Sequence, residues 1–549
     1  MTFRAPVEDL LFNIAHIAEE GGDLDTAAAV LEEFVRFCAE EIAPLNATGD
    51  REGSVLTAQG VQTPKGFRAA YAKFVEMGWQ GLSHPEAQGG QGLPRALGAA
   101  ATEILNAANM SFALCPLLTD GAIEALSRFG SDSVKALLPK LVSGEWTGTM
   151  NLTEPQAGSD LSLLRTKAER AADGTYRITG MKIFITYGEH DLAENILHLV
   201  LARAPGAPAG VKGISLFLVP KFLADGRRNS LRAQSIEHKL GVRASPTCVM
   251  EFEGAEAQLI GAENAGLEQM FAMMNAARFA VGVQGIAIAE RALAQARAYA
   301  HNRLQGRPLT GGPGPVAIIN HPDIRRILCQ MRARTEACRA LAAFAAGTKD
   351  QALADYLVPL VKGYATEMAV LTTSDAVQIH GGMGYIEETG AAQHFRDARI
   401  LPIYEGTTAI QASDLLGRKT LRDRGAMATK LAARIASTEA DLAVFPDIAT
   451  AIGAARADFL AATDWLLTAS PEAAHAGAVP YLMLTGNLVA GWQLGRAALA
   501  AEADMSDAPT FMTAKIATAR FYARHLLPET VLQRQRILEG ADSLLDLTF

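Results

Sequence analysis

Met150-Asn-Leu-Thr-Glu-Pro-Gln-Ala-Gly-Ser-Asp160 lies where the periodicity of the chain changes, and the two sides of that change define the fold. Upstream, from Asp23 to Glu145, apolar residues recur at spacings of three and four, as in Ala27-Ala28-Val30-Leu31-Phe34-Val35 and at Ile123 and Leu126, which predicts helices. The stretch Glu86-Ala-Gln-Gly-Gly-Gln-Gly92 interrupts them with a loop. Downstream, between Met150 and Phe252, short runs such as Tyr176-Arg-Ile-Thr-Gly-Met-Lys-Ile-Phe-Ile-Thr186 and Ile214-Ser-Leu-Phe-Leu-Val219 are bounded by Gly, Pro and Asp. They predict strands of a small barrel or of packed sheets. After Gly266 the helical period returns over 267–299, 324–346 and 353–378, each long enough for a bundle of antiparallel helices. A loop rich in Gly and Pro, 306–315, separates the first two. The alanine-rich region from Arg422 onward predicts further helices, with a turn at Ser470-Pro471.

With 549 residues, 49% of them hydrophobic, the chain can bury a large core and has the length of three or four domains. Its net charge of -9 provides no global basic field, which argues against backbone-driven nucleic-acid binding as the main activity. The five cysteines, Cys38, Cys115, Cys248, Cys329 and Cys338, are scattered and form no C-x-x-C pair, the pattern of thiols that stay reduced. A cytoplasmic protein is therefore expected. Residues Met1 to Phe12 include Glu8 and Asp9 and no long apolar run, so a secretory signal is not expected. No charge-free apolar stretch is long enough to predict a membrane-spanning helix.

On local chemistry alone, Thr153-Glu-Pro155 followed by Ala157-Gly-Ser-Asp160 reads as a turn with an Asp or Ser cap. Combined with Lys182-Ile-Phe-Ile-Thr186 after a strand hairpin, the order of residues resembles the acyl-CoA dehydrogenase family over roughly Leu31 to Lys419. The resemblance implies a mainly α fold with a central β domain: an N-terminal helical domain over 1–149, a small β-barrel over 150–258 and a C-terminal four-helix bundle over 259–420; the helical pattern beyond it adds an additional helical domain over 421–549. It also implies FAD. Main chain at Met150 and Leu152 and the Thr153 hydroxyl would meet the pyrimidine side of the flavin, Phe184 would lie against the ring, and Thr186 would bond near N5. Gly158 and Ser159 would approach the diphosphate and the pantetheine arm of the substrate. These residue types suit a flat ring, which needs an aromatic wall and hydroxyl or amide partners at its edges. Phe184 and Thr186 also suit a packed strand. Glu237-His-Lys-Leu-Gly-Val-Arg-Ala-Ser-Pro-Thr247 resembles the family's turn before the last strand and, by itself, is a charged surface loop.

In the second helical half the resemblance assigns Asn275 and Arg278 to the substrate side, although an isolated helical Arg is more often solvated or ion-paired. One subgroup of the family places its catalytic Glu immediately before this Arg; here that residue is Ala277. Arg303, in Tyr299-Ala-His-Asn-Arg-Leu-Gln-Gly306, would reach the FAD diphosphate of a neighbouring subunit, a task suited to the fixed fork of a guanidinium. The family's usual aromatic residue before that Gly is missing. Asp375-Ala-Val-Gln-Ile-His-Gly-Gly-Met-Gly384 closes a helix instead of opening one after a strand, so it is no dinucleotide fingerprint. Gln378, Gly381 and Gly382 would instead bind FAD across a subunit interface. His380 has no second histidine at ligand spacing and reads as a packed or hydrogen-bonded side chain, with no metal site.

Arg396-Asp-Ala-Arg-Ile-Leu-Pro-Ile-Tyr-Glu-Gly-Thr-Thr-Ala-Ile-Gln411 carries the chemistry. In an anonymous chain Glu405 could be a helix N-terminal acid and Gly406 a turn residue. In the family the Glu of Tyr-Glu-Gly-Thr removes the α proton, so Glu405 is the expected base. Tyr404 and Gly406 would face the substrate, and Thr407 the cofactor; Ala409 stands where many members carry Gln. The resemblance thus implies α,β-dehydrogenation of an acyl-CoA to the trans-2-enoyl-CoA within fatty-acid β-oxidation, with hydride transfer to flavin N5. It further implies an electron-transfer flavoprotein as acceptor and a homodimer or dimer of dimers. An acyl-CoA oxidase and a flavin-bearing relative that binds nucleic acid are the alternatives; no basic run after Arg422 supports the second. The segments Phe3–Phe12 and Thr149–Pro155 resemble the bacterial subgroup that includes 3-methylmercaptopropionyl-CoA dehydrogenase.

Overall fold

The computed structural model describes residues 3–548 and divides the chain into two compact units. The first contains the chain up to Val35, Pro94–Ala107 and everything from Arg278; the second contains Arg36–Leu93 and Ala108–Ala277.

The second unit holds the sheet expected between Met150 and Phe252. Strands β1 (Val55–Thr57) and β2 (Gly60–Gln62) form a small hairpin in the otherwise helical N-terminal part. The main sheet comprises β3 (Trp146–Asn151), β4 (Lys167–Arg170), β5 (Tyr176–Thr186), β6 (Asn195–Ala202), β7 (Ser215–Pro220), β8 (Leu231–Ile236) and β9 (Thr247–Ile260). Its order runs β3-β6-β7-β9-β5-β4, with β8 paired to β9. The long β9 joins the two halves, pairing with β7 near Ile260 and with β5 along most of its length. The ring then closes where β4 meets the end of β6: Ala168 N–H donates to the Arg203 carbonyl and Arg203 N–H to the Thr166 carbonyl, both at 2.9 Å. Inward residues from alternate positions, among them Ile178, Val200, Phe217, Met250 and Phe252, fill the interior.

In the first unit the expected helices form, at Gly266–Asn302 (which begins in the other unit), Pro322–Gly347 and Ala365–His380. Among the described residues Gly266–Asn302 alone is long and apolar enough to cross a membrane, but 67% of its most apolar stretch is buried inside the protein, as befits a core helix. The helical run predicted over 353–378 is broken: Gln351–Pro359 passes into a π-helical turn, Leu360–Tyr364, before the helix resumes at Ala365. Pro359 has no N–H to continue the α-helical ladder, and a wider turn accommodates that loss.

The region after Arg422 folds into helices at Ala426–Asp441, Pro446–Leu466, Ala478–Ala503, Pro509–His525 and Glu529–Glu539. Ser470 caps the short helix Pro471–Ala476 by accepting from Ala473 N–H. Ala478–Ala503 is apolar on every side and buried accordingly. Its Leu488 and Trp492 share one core with Phe344, Leu357 and Leu360 of the preceding helices. A buried ion network also crosses this boundary. Lys515 Nζ donates to Asp9 (2.6 Å) and Glu336 (2.8 Å), while Arg339 binds Asp9 (2.6 Å), Glu103 (2.6 Å) and Glu290 (2.8 Å). All five cysteines are free thiols.

Candidate functional site

The expected base sits in a strained turn of the first unit. After the helix Ala391–Ala398 the chain reverses and enters the helix Thr408–Ser413, capped by the Thr407 hydroxyl, which accepts from Ile410 N–H. Glu405 therefore precedes the helix and is not one of its first-turn acids. Glu405 and Gly406 both adopt left-handed conformations, with φ of 54° and 88°. For Glu405 this costs on the order of 1 kcal/mol, which surrounding contacts must offset. Lys362 Nζ donates to the Gly406 carbonyl at 2.6 Å, and Gln411 Nε2 donates to the carbonyls of Glu405 (3.2 Å) and Gly406 (3.3 Å). Tyr404 is fixed separately: its hydroxyl donates to Gln284 at 2.5 Å, and Gln284 donates in turn to Asn106 at 2.9 Å.

Part of Glu405 reaches solvent, yet the atoms crowded around its carboxyl dominate its protonation. Burial raises the carboxyl to about 7, against the lowering influence of Arg278 and Lys362. Near neutral pH the group is thus available both as carboxylate and as acid, the condition a general base of this kind needs. Arg278 is buried and pairs with Asp414 at 3.6 Å; burial lowers its guanidinium from the ordinary value while Asp414 and Glu405 oppose the shift. Burial pushes Lys362 down to about 7, with Glu405 opposing. Glu405, Arg278, Tyr404 and Gly406, all anticipated from sequence, belong to this cluster. Asn275 is exposed, one turn before Arg278 on the same helix. Lys362 and Gln411 were not anticipated as site residues. A lysine inside Leu357–Tyr364, an otherwise largely apolar run containing Pro359 and Gly363, is the signal that could have drawn attention to the first.

The residues expected at a flavin ring lie in the second unit. Where β3 ends, Lys182 Nζ reaches both the Leu152 carbonyl (3.0 Å) and the Glu154 carboxylate (2.9 Å). Glu154 also accepts from Thr166 Oγ1 (2.6 Å) and from the backbone N–H groups of Arg165 and Thr166, while Ile183 N–H donates to the Thr153 carbonyl at 2.9 Å. Burial would raise Glu154, but the Lys182 charge and the hydrogen bonds outweigh it and hold the carboxyl at about 2. The segment from Met150 to Thr153 is thereby fastened, with Met150, Leu152 and Thr153 half-buried. In β3, Thr149 bonds to His198 at 2.7 Å and Thr147 to His190 at 3.0 Å; burial takes both imidazoles down to about 3, so they are neutral.

Phe184 departs from an inward strand residue. Pairing between β5 and β9 shifts register between Lys182 and Ile185, and Phe184 takes φ of 60° within that irregularity. Its ring is left 59% exposed. An exposed aromatic wall beside half-buried Thr153 and Thr186 fits one face and the polar edges of a flat aromatic cofactor. Gly158 and Ser159 are exposed, a Cβ on Gly158 would meet nothing within 4 Å, and the following Asp160 caps a short turn by accepting from Ser162 N–H. The loop between β8 and β9 lies where expected for 237–247.

Arg303, Gln378, Gly381 and Gly382 are exposed on the first unit. Arg303 follows the helix ending at Asn302 and donates to Gln305 at 3.5 Å. Gly381 caps the helix Ala365–His380 with φ of 59°, and a Cβ on either glycine would meet nothing within 4 Å. His380 is hydrogen-bonded to the Ala376 carbonyl at 2.7 Å and lies 4.4 Å from the Tyr299 ring.

Comparison with known proteins gives matches along nearly the whole chain. Family models for the N-terminal, middle and C-terminal domains of acyl-CoA dehydrogenase match residues 25–145, 149–255 and 264–420. A model described as acetyl-CoA dehydrogenase C-terminal like matches 428–548. A 3-methylmercaptopropionyl-CoA dehydrogenase from Ruegeria pomeroyi is 56% identical, with 99% of each chain covered. A broad-specificity linear acyl-CoA dehydrogenase from Mycobacterium tuberculosis is 34% identical, with 98% of each covered. The structure of butyryl-CoA dehydrogenase from Megasphaera elsdenii superposes with a TM-score of 0.61 at 27% identity, covering 76% of this chain and 99% of that one.

Proposed function

The chain belongs to the acyl-CoA dehydrogenase family, whose members are FAD-dependent oxidoreductases, and from that premise we propose that Glu405 is the base in α,β-dehydrogenation of an acyl-CoA thioester. The observation that carries the assignment is the Glu405 carboxyl itself, set in a left-handed turn and raised to about 7 by burial. Its carboxylate takes the α proton, and the nearby Arg278 and Lys362 charges limit how far burial can favour the protonated form. Gly406 belongs to the substrate side, and the absence of a side chain lets Gln411 pack against it: a Cβ there would come within 2.8 Å of Gln411 Nε2. The Glu405 backbone amide stabilises the negative charge that develops on the thioester oxygen.

When bound, FAD supplies the acceptor for the β hydrogen, transferred as hydride to N5. Phe184 provides the wall for the ring, Met150, Leu152, Thr153 and Thr186 the partners at its edges, and Thr407 a further contact. Gly158 and Ser159 serve the diphosphate and the pantetheine arm; Asn275 and Tyr404 complete the substrate side. The exposure of Arg303, Gln378, Gly381 and Gly382 supports cofactor contacts across a subunit interface, and hence a homodimer or dimer of dimers. Tyr385, 86% exposed next to that glycine turn, supports the same reading.

For substrate, 56% identity to the Ruegeria pomeroyi enzyme supports 3-methylmercaptopropionyl-CoA, a short acyl chain carrying a thioether, with linear acyl-CoAs as the competing class. An electron-transfer flavoprotein takes the electrons onward, and the free thiols and acidic charge support a cytoplasmic setting. The test is anaerobic mixing of wild type and Glu405→Gln with a panel of acyl-CoAs while following flavin absorbance. Wild type should bleach fastest with the thioether substrate. The variant should bind FAD and acyl-CoA yet lose about a hundred- to ten-thousand-fold in reduction rate. Bleaching of the variant at the wild-type rate overturns the assignment, and rapid oxygen consumption by wild type would make it an oxidase.

A further inference from the structure

Lys182 and Lys362 are 0% exposed and Lys515 1%. Lys182 and Lys515 donate directly to carboxylates. Lys362 instead aims its ammonium at a backbone carbonyl, that of Gly406, at 2.6 Å. Burying an ammonium is costly, and a carbonyl compensates it less than a carboxylate does, so an apolar residue would serve packing better at this position.

The turn that carries Lys362 is itself held from both sides. A Cβ on Gly282 would come within 2.4 Å of the Val361 carbonyl oxygen, one on Gly363 within 2.5 Å of Leu482, and one on Gly486 within 2.5 Å of the Tyr364 ring. The Tyr364 hydroxyl meets that of Tyr522 at 2.8 Å. The long helix from Gly266 and the C-terminal helix Ala478–Ala503 thus clamp Leu360–Tyr364, and the position of Lys362 is set by contacts its own side chain does not make. π-helical turns recur where a helix must redirect one side chain toward a site.

At the receiving end stand two consecutive left-handed residues, Glu405 and Gly406, whose carbonyls accept from Gln411 as well. The charged groups around Lys362 are Glu405 from the turn, Arg278 from the helix beginning at Gly266, and Glu367 from its own continuing helix. Glu367 is engaged by the Thr408 hydroxyl at 2.5 Å. The clamping helix Ala478–Ala503 offers Leu482 and Gly486, neither of which titrates.

We propose that Lys362 is a positioning residue for the reaction: anchored on the Gly406 carbonyl, its ammonium locks the Glu405-Gly406 turn and places a positive charge behind the base. This rests on Glu405 being that base. Loss of the anchor lets the turn relax out of its strained conformation, moving the carboxyl relative to the α carbon. Burial holds Lys362 at about 7, so its charge is present on the acid side of that pH, where Glu405 also titrates; losing it there favours protonated Glu405, which burial already favours and which cannot act as a base.

The experiment compares flavin-loaded Lys362→Met, Lys362→Gln and Lys362→Arg with wild type and Glu405→Gln, by anaerobic stopped flow with acyl-CoA across pH 5.5 to 9. Lys362→Met should keep FAD and acyl-CoA affinity but reduce flavin about ten- to a hundredfold more slowly. The acid limb of its pH profile should move alkaline by about one unit, because a cation beside the carboxylate has gone. Lys362→Gln should recover part of the rate without restoring the limb, and Lys362→Arg should restore both in part. A purely structural role would leave the acid limb where it is. Wild-type rate and an unmoved limb in Lys362→Met, with Glu405→Gln inactive, would overturn the proposal and leave the base assignment intact. A fast Glu405→Gln would remove the base assignment itself. Failure of all three lysine variants to give folded, flavin-loaded protein would assign Lys362 to the core alone and overturn the proposal as well.

Discussion

Lys515→Met tests how the C-terminal helices are held to the rest of their unit. The Lys515 side chain is fully buried and its ammonium serves two carboxylates, Asp9 at 2.6 Å and Glu336 at 2.8 Å, drawn from the first helix and from Pro322–Gly347. Methionine nearly preserves the volume, so packing is retained while both acids lose a shared partner. Arg339 still serves Asp9 and Arg332 still serves Glu336. Removing one member of such a buried network typically costs about 3 to 5 kcal/mol, because the remaining charge stays desolvated. At roughly 1.4 kcal/mol per factor of ten, the opening equilibrium of the Pro509–His525 helix should rise about a hundred- to several-thousand-fold. Burial would raise Asp9, but Lys515 and Arg339 outweigh it and hold the carboxyl at about 2, below its ordinary 3.8. A depressed carboxylate stabilises the fold above its unfolded value and loses that contribution as pH falls through the folded value. The wild-type contribution of Asp9 is therefore present above about pH 4 and lost toward pH 2. In the variant the penalty should be largest at neutral pH and shrink toward low pH as Asp9 protonates. Hydrogen exchange read over Val7–His16, Pro322–Gly347 and Pro509–His525 at pH 7.5 and 3 measures it, with joint loss of protection expected in all three at pH 7.5. Lys515→Met combined with Asp9→Asn and Glu336→Gln should recover much of the loss. Unchanged protection in the single variant at pH 7.5 would refute the reasoning and mean that water reaches these carboxylates.

Single-turnover flavin reduction should fall as pH drops through about 7, as Glu405 protonates, and Glu405→Gln should show no such limb; a limb near 4.5 would contradict the burial of the carboxyl. Because the folded carboxyl lies above its unfolded value, its stability contribution is present below about pH 4.5 and lost as pH rises through about 7. Apo Glu405→Gln should then be more stable than apo wild type at pH 8, by at most about 3 kcal/mol, measured by urea unfolding. Arg303→Ala should weaken FAD retention by about 1.5 to 3 kcal/mol, seen as flavin lost on dilution; a monomer that remains fully loaded with FAD would refute the shared-site reading. Truncation after Leu421 should give insoluble or FAD-poor protein, because it uncovers Phe344, Leu357 and Leu360; a soluble, active truncation would show those helices to be an independent module.

Periodicity alone made the order of element types legible. The change at Met150-Asn-Leu-Thr-Glu-Pro155 from three-and-four spacing to short apolar runs, and the return after Gly266, reflect local geometry that each segment carries in its own residues. The turn at Tyr404-Glu-Gly-Thr407 was equally legible, because the residues that bend the chain there are adjacent in sequence. What local spacing cannot carry is which distant groups meet. Alternation along β5 gave no sign that Phe184 would face outward, since that depends on a register irregularity against β9. Lys362 could not be linked to Gly406, 44 positions away, until packing against Gly282, Leu482 and Gly486 had fixed the turn that aims it. Asp9 and Lys515 are 506 positions apart, and nothing in either neighbourhood distinguishes them from solvated charges. Tertiary structure alone decided those pairings, and with them the protonation of Glu405, because burial and Coulomb interactions depend on distances through space and not along the chain.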